Sequence, residues 1–316
     1  MKNSICFDWF EFTSFIDSPQ SLISLLGLSV YEFIETYGSS GYRSGLMFEN
    51  IFIFYDGRSD MGVHCRMSGK GCRSFEKYSS INWTDLISNV VSENFKVSRL
   101  DVAYDDYNCL IDLDSIIDDV NNRRFVTRFR SDPEVIYKVD SDCNRSYTVN
   151  FGRKSSNTFF RIYDKLSERK QKDINVDNLK HWVRAEFMFR NDNAFNFLKL
   201  LNEGKKIDEL YFLVLNNYLR FVVSSDSDSN RWRWELAFHW ERFCNSVLSD
   251  RISIFCCPSD GDYNVFSLSN YVTGQAGAAV YTYIQKFGIS DLMERIDHKK
   301  YKLAPKYKAL LIDDVV

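Results

Sequence analysis

The chain of 316 residues is 45% apolar and 16% aromatic, with 26 Phe, 18 Tyr and 6 Trp, which excludes disorder and predicts an aromatic-rich core in one large or two ordinary domains. A formal net charge of −3 gives no global footprint for binding a polyanion, so any nucleic-acid surface must be local. No long apolar run suggests a secretion signal or a membrane span, and the eight Cys are scattered, so the chain reads as cytoplasmic with reduced thiols.

In chain order, residues 21–37 (SLISLLGLSVYEFIETY) show apolar positions at helical spacing. NIFIFYDG at 50–57 alternates, and MGVHCRM at 61–67 follows a short polar turn, the pattern of a hairpin. Further β-rich runs lie at 95–106, 134–139, 145–152, 157–165 and 181–190, each bounded by Asp, Asn, Ser or Gly, with a helical pattern at 113–125 between them. After residue 192 the segments 194–204, 207–223, 231–248 and 280–296 read as helices, and SSDSDSN at 224–230 as a polar loop. The expected class is α+β: an antiparallel sheet core with flanking helices and a mostly helical C-terminal part. The expected domains are 1–207, catalytic, and 208–316, a helical region for DNA recognition or dimerisation. No repeat of fixed period is visible. Basic clusters stand at 123–130, 153–156, 165–172 and 299–308, and each is also an ordinary solvated face.

Three strands carry the candidate chemistry. In SRLDVAYDD, alternation puts Arg99, Asp101, Ala103 and Asp105 on one face. Two carboxylates so placed suit a hard cation such as Mg²⁺ or Mn²⁺, although a half-exposed strand has the same pattern. In NTFFRIYDK, Arg161, Tyr163 and Lys165 share a face, and flanking cations would help a phenol of ordinary pKa near 10 to act as a nucleophile. A surface tyrosine is the competing reading. In WVRAEFMFR, Arg184, Glu186 and Met188 share a face, so Glu186 is either a third carboxylate ligand or the partner of an arginine on a neighbouring strand.

The order SRLDVAYDD, FGRKSSNTFFRIYDKLSERK, HWVRAEFMFR over about residues 95–192 resembles the catalytic core of the plasmid rolling-circle replication initiators, whose active tyrosine lies in an R-I-Y-[ND]-K run. MSGKGCRSFE at 67–76 and CFDWFEFT at 6–13 also resemble segments of related phage and integrative-element initiators. The resemblance implies that Tyr163 is the nucleophile and that Asp101 and Glu186 bind the catalytic metal, with Asp105 as a second-choice ligand. Strand parity gives Arg161 and Lys165 the phosphate and lets Asp8 approach from the first strand.

The implied reaction is a metal-assisted attack of Tyr163 on one strand at an origin, single-stranded or exposed in a hairpin, leaving a 5′-phosphotyrosine and a 3′ hydroxyl that primes synthesis. The implied cofactor is Mg²⁺ or Mn²⁺, because His64, His181, His239 and His298 include no His-x-His pair. Origin DNA is the implied partner, with host helicase and polymerase, and a homodimer is compatible. A conjugative relaxase would use the same residues. A DNA-binding protein without catalysis, and a nuclease that activates water, remain the readings from other classes.

Overall fold

A computed structural model describes residues 2–15, 18–139, 145–171, 179–225, 228–245, 272 and 277–297. The chain divides into two compact units, Met1–Phe255 and Cys256–Val316. In the second unit, helices Gly277–Phe287 and Ile289–Asp297 are held together by a hydrogen bond of 2.7 Å that the Tyr283 hydroxyl donates to Asp291. The basic segment at 299–308 lies outside the described residues.

The first unit is α+β. Its elements run β1 (Ser4–Ser14), α1 (Pro19–Leu25), β2 (Ile34–Tyr37), β3 (Ser44–Phe48), β4 (Ile51–Tyr55), β5 (Val63–Ser68), α2 (Gly69–Tyr78), α3 (Trp83–Ser92). There follow β6 (Lys96–Asp106), α4 (Leu113–Asn121), β7 (Phe125–Thr127), β8 (Glu134–Val139), β9 (Arg145–Phe151), β10 (Thr158–Asp164) and α5 (Lys165–Lys170). The unit continues with β11 (Val183–Arg190), α6 (Asn191–Asn202), α7 (Ile207–Tyr218), β12 (Leu219–Phe221) and α8 (Phe238–Asn245).

Ten strands form one sheet in the order β2-β3-β4-β5-β1-β6-β11-β10-β9-β8, every neighbouring pair antiparallel. Outward from the centre the order is β1, β5, β4, β3, β2 on one side and β6, β11, β10, β9, β8 on the other. The halves therefore repeat one connectivity about a pseudo-two-fold axis between β1 and β6. The register obeys that axis at residue level. Phe10 opposes Leu100, flanked by Trp9 opposite Asp101 and Glu11 opposite Arg99, and each strand bulges one residue: Asp8 on β1 and Ser98 on β6. The repeat is in the fold and not in a sequence period.

Alternation sorts the sheet into two faces. Phe10, Phe12, Leu100, Val102, Phe160, Ile162, Ala185 and Phe187 point to the face where the helices supply Leu22, Phe75, Leu86, Ile116, Phe197 and Leu215, and all of these are buried. Tyr211 on α7 belongs to this core and donates a hydrogen bond of 2.8 Å to the Ala185 carbonyl. Because α7 is packed under β11, the first unit extends past the division expected at 207/208.

Two helical readings were too long. The run at 21–37 breaks after α1 at Gly27, whose φ of +67° is the left-handed conformation that ends helices, and resumes as edge strand β2. The run at 207–223 turns at Leu219, where Leu219 and Phe221 alternate into the core and β12 pairs with β7. Within 231–248, the described α-helix is α8 alone.

Candidate active site

The opposite face of β6, β10 and β11 carries the chemistry. Strand β11 lies between β6 and β10, with Glu186 directly opposite Arg161 and diagonal to Asp101, and with Tyr163 opposite Arg184. The hydroxyl of Tyr163 donates to Glu186 Oε2 at 3.3 Å, and Arg161 donates to Glu186 Oε1 at 2.7 Å. Asp101 is gripped by Arg99 at both oxygens, at 2.9 and 2.5 Å. Tyr163, Glu186 and Asp101 are buried.

Lys165 arrives by a different route from the one parity suggests, since β10 ends at Asp164. The Asp164 carboxylate caps α5 by accepting from the Ser167 amide at 2.9 Å and its hydroxyl at 2.6 Å, satisfying a donor at a helix start. The first helical residue, Lys165, folds back so that Nζ donates to Tyr163 Oη at 3.2 Å. The same ammonium pairs with Glu168 at 2.6 Å.

Burial raises the Tyr163 phenol above its ordinary range, and the Glu186 charge adds to the rise against Arg184 and Arg161. The flanking cations thus do not by themselves make a phenolate, and the hydroxyl keeps its proton until an acceptor takes it. Burial likewise pushes the Asp101 carboxyl up to about 7, against Arg99 and aided by the charge of Glu186. Lys165 is shifted down by burial and by the neighbouring Arg184.

Asp105 is engaged elsewhere. Both of its oxygens accept from Arg184, each at 2.7 Å, and one also accepts from the Trp182 indole at 2.6 Å. The ligand role expected of Asp105 would require it to leave Arg184 and Trp182, as Asp101 would have to leave Arg99. Arg184, which strand parity placed beside Glu186 without a function, is the hub of that end of the site. Its Nη1 also pairs with Asp8 at 2.8 Å, and the bulge in β1 is what brings both Asp8 and Trp9 to this face. The described histidines pair with none of Asp101, Asp105 and Glu186: His64 pairs with Thr13, His181 with Asp106 and His239 with Asp119. His298 lies outside the described residues.

Among the described residues no group of three or more His, Cys, Asp or Glu is placed to hold a metal ion. Asp101 and Glu186 supply two carboxylates on adjacent strands. That donor set fits a hydrated Mg²⁺ or Mn²⁺, which draws one or two carboxylates from protein and the rest from substrate phosphate and water. The first half of the sheet has no such set. By the pseudo-two-fold register, Glu11 stands where the second half has Asp101, His64 where it has Glu186, Phe54 where it has Arg161, and Asp56 where it has Tyr163.

Residues 95–255 match the family model described as replication initiation factor, and residues 4–89 match that of the rolling circle replication initiation protein N-terminal domain. The two matches meet where the two halves of the sheet meet. The chain is similar to a putative DNA relaxase NicK of Bacillus subtilis (strain 168), 25% identical over 283 residues that cover 87% of this chain and 78% of the relative. It is also similar to a solved rolling circle replication initiator protein from Geobacillus stearothermophilus. That match has 28% identity and a TM-score of 0.72, and covers 80% of this chain and 99% of the other.

Proposed function

The chain belongs to the replication initiation factor family, and from that premise we propose that Tyr163 is the residue with which it cuts one strand of origin DNA. It is a DNA nicking-closing enzyme, an initiator of rolling-circle replication. The observation that carries the assignment of Tyr163 is its hydroxyl, held 3.3 Å from the Glu186 carboxylate and 3.2 Å from the Lys165 ammonium on the face where Arg161 also points.

Tyr163 Oη bonds to the scissile phosphorus while the bond from phosphorus to the 3′ oxygen breaks. The phenolic proton passes along its existing hydrogen bond to Glu186 Oε2, and Lys165 stabilises the phenolate. Arg161 holds the charge that builds on the non-bridging oxygens. The departing 3′ oxygen takes a proton from solvent and becomes the priming hydroxyl, and the 5′ phosphate remains on Tyr163. Reversal with a strand's own 3′ hydroxyl reseals the DNA. Asp101 and Glu186 are the residues that would hold a divalent cation, in competition with Arg99 and Arg161, which donate to them here; bound there, it would supply Lewis-acid stabilisation of the phosphate. No helix among the described residues is long and apolar enough to cross a membrane, and a cytoplasmic protein acting with host helicase and polymerase is consistent with this chemistry.

Similarity to a protein named as a DNA relaxase supports conjugative nicking as a second reading. The chemistry is shared, and the DNA flanking the gene, a replication origin or a transfer origin, distinguishes the two. The test of catalysis uses a labelled single-stranded oligonucleotide carrying that site. Tyr163→Phe should bind it and fail to cut it. Cutting by the variant would leave a water-activating nuclease, and no cutting by the unmodified protein with Mg²⁺ or Mn²⁺ would leave a binding protein.

A further inference from the structure

The site face does not end at Asp101. Across β6, β1, β5 and β4 it continues as Arg99, Trp9, Glu11, Arg66 and Phe52, all part-exposed. The Arg99 guanidinium lies over the Trp9 ring with 4.1 Å to its centroid, and Arg66 lies over Phe52 and Phe54 at 5.4 and 4.6 Å. Trp9 Nε1 has no hydrogen-bond partner among the described residues, so stacking and packing, not a polar tether, hold the indole. The helices of the first unit whose side chains form the core are on the other face.

We infer that this half of the sheet is a platform for single-stranded DNA flanking the cut, with Trp9 stacking on the base next to the site and Phe52 and Arg66 holding bases further along. The inference rests on the nicking assignment and adds a place for the rest of the strand. Three features select this occupant. Aromatic faces accept any base, and the guanidinium groups, whose charges are paired with Glu11 and Asp101 at 3.9 and 2.5 Å, add flat stacking surface, the combination used to hold single strands without base-edge readout. The platform is continuous with the cutting site, because Arg99 touches both Asp101 and Trp9. The pseudo-two-fold register also gives this half a corresponding part-exposed face without the catalytic tyrosine or carboxylate pair, leaving a surface able to hold a strand and unable to cut it.

The experiment measures oligonucleotide affinity with the full-length protein. One oligonucleotide spans only the nucleotides around the cut, and two others extend it by a flank on the 5′ or the 3′ side. One flank should tighten binding of the unmodified protein. Trp9→Ala and Phe52→Ala should each lose on the order of tenfold of that gain, while Trp9→Phe, which keeps a ring, should retain most of it. Photo-cross-linking of the unmodified protein to a flank carrying 5-bromodeoxyuridine gives a reading independent of variant folding, and the adduct should map to the peptide holding Trp9 or Phe52. Equal flank gains in all proteins, or adducts confined to other segments, would overturn the platform. Failure of the nicking assignment reads differently: the flank effects would persist while Tyr163→Phe cut as fast as the unmodified protein.

Discussion

Lys165 Nζ donates to the Tyr163 hydroxyl at 3.2 Å although the two residues belong to different elements, a strand and the helix that follows it. The contact exists because Asp164 caps that helix and turns its first residue back onto the strand. If the ammonium stabilises the phenolate, Lys165→Met should slow single-turnover nicking by about 10²- to 10³-fold, the range for one preorganised donor. Lys165→Arg should recover part of the rate. Equal rates in all three proteins would remove Lys165 from the mechanism.

Asp105 and Arg184 form a nearly solvent-free ion pair. Removing Asp105 takes two charge-assisted hydrogen bonds from buried Arg184 and leaves Asp8 as its carboxylate partner, so Asp105→Ala should cost about 3 kcal/mol, the low end of the range for a broken buried pair, in chemical denaturation. Were Asp105 instead a metal ligand, the variant's main defect would be a raised Mg²⁺ or Mn²⁺ requirement with near-normal stability.

The carboxylates assigned to the cation should behave in the opposite way. Asp101→Asn should shift the half-saturating Mg²⁺ or Mn²⁺ concentration for nicking upward, Glu186→Gln should in addition slow nicking at saturating cation because the phenolic proton loses its acceptor, and chelator should abolish nicking by the unmodified protein. Full-rate nicking in chelator would exclude the cation from the reaction.

Much of the site was legible because strand alternation is a strict two-residue rule: Asp101, Arg161, Tyr163 and Glu186 share a face once their segments are strands. Alternation does not say which strands are neighbours. That β11 separates β6 from β10, so that Glu186 touches Arg161 and Tyr163 while Asp105 is taken by Arg184 and Trp182, depends on sheet order. Lys165 was expected on the right side for the wrong reason, since it reaches Tyr163 from a helix and not from the strand. The repeated halves leave no trace in the sequence because the repeat resides in connectivity and register, while paired positions hold unlike residues such as Glu186 and His64. Leu219 to Phe221 read as helix because three residues after an apolar helix carry too little pattern to show a change of period.

His64 offers a stability test away from the chemistry. Burial, with Arg66 nearby, lowers its pKa from 6.5 to about 4. The unfolded chain therefore binds the proton more readily between those values, and the stability this neutral histidine provides is complete above about pH 6.5 and lost as pH falls toward 4. The unmodified protein should lose about 2 kcal/mol at pH 5 relative to pH 7 through this group. His64→Asn should show a correspondingly smaller fall over the same range, and an identical fall would place the acid sensitivity elsewhere.

In this mechanism the cut strand is held on Tyr163, one of 18 tyrosines in the chain. The most direct test is to trap the reaction on an oligonucleotide labelled 3′ of the cut, digest the covalent complex with protease, and identify the modified peptide by mass spectrometry. The expected result is a single adduct in which the 5′ phosphate is esterified to Tyr163, absent from Tyr163→Phe. An adduct on any other residue, or efficient nicking with no adduct, would contradict it.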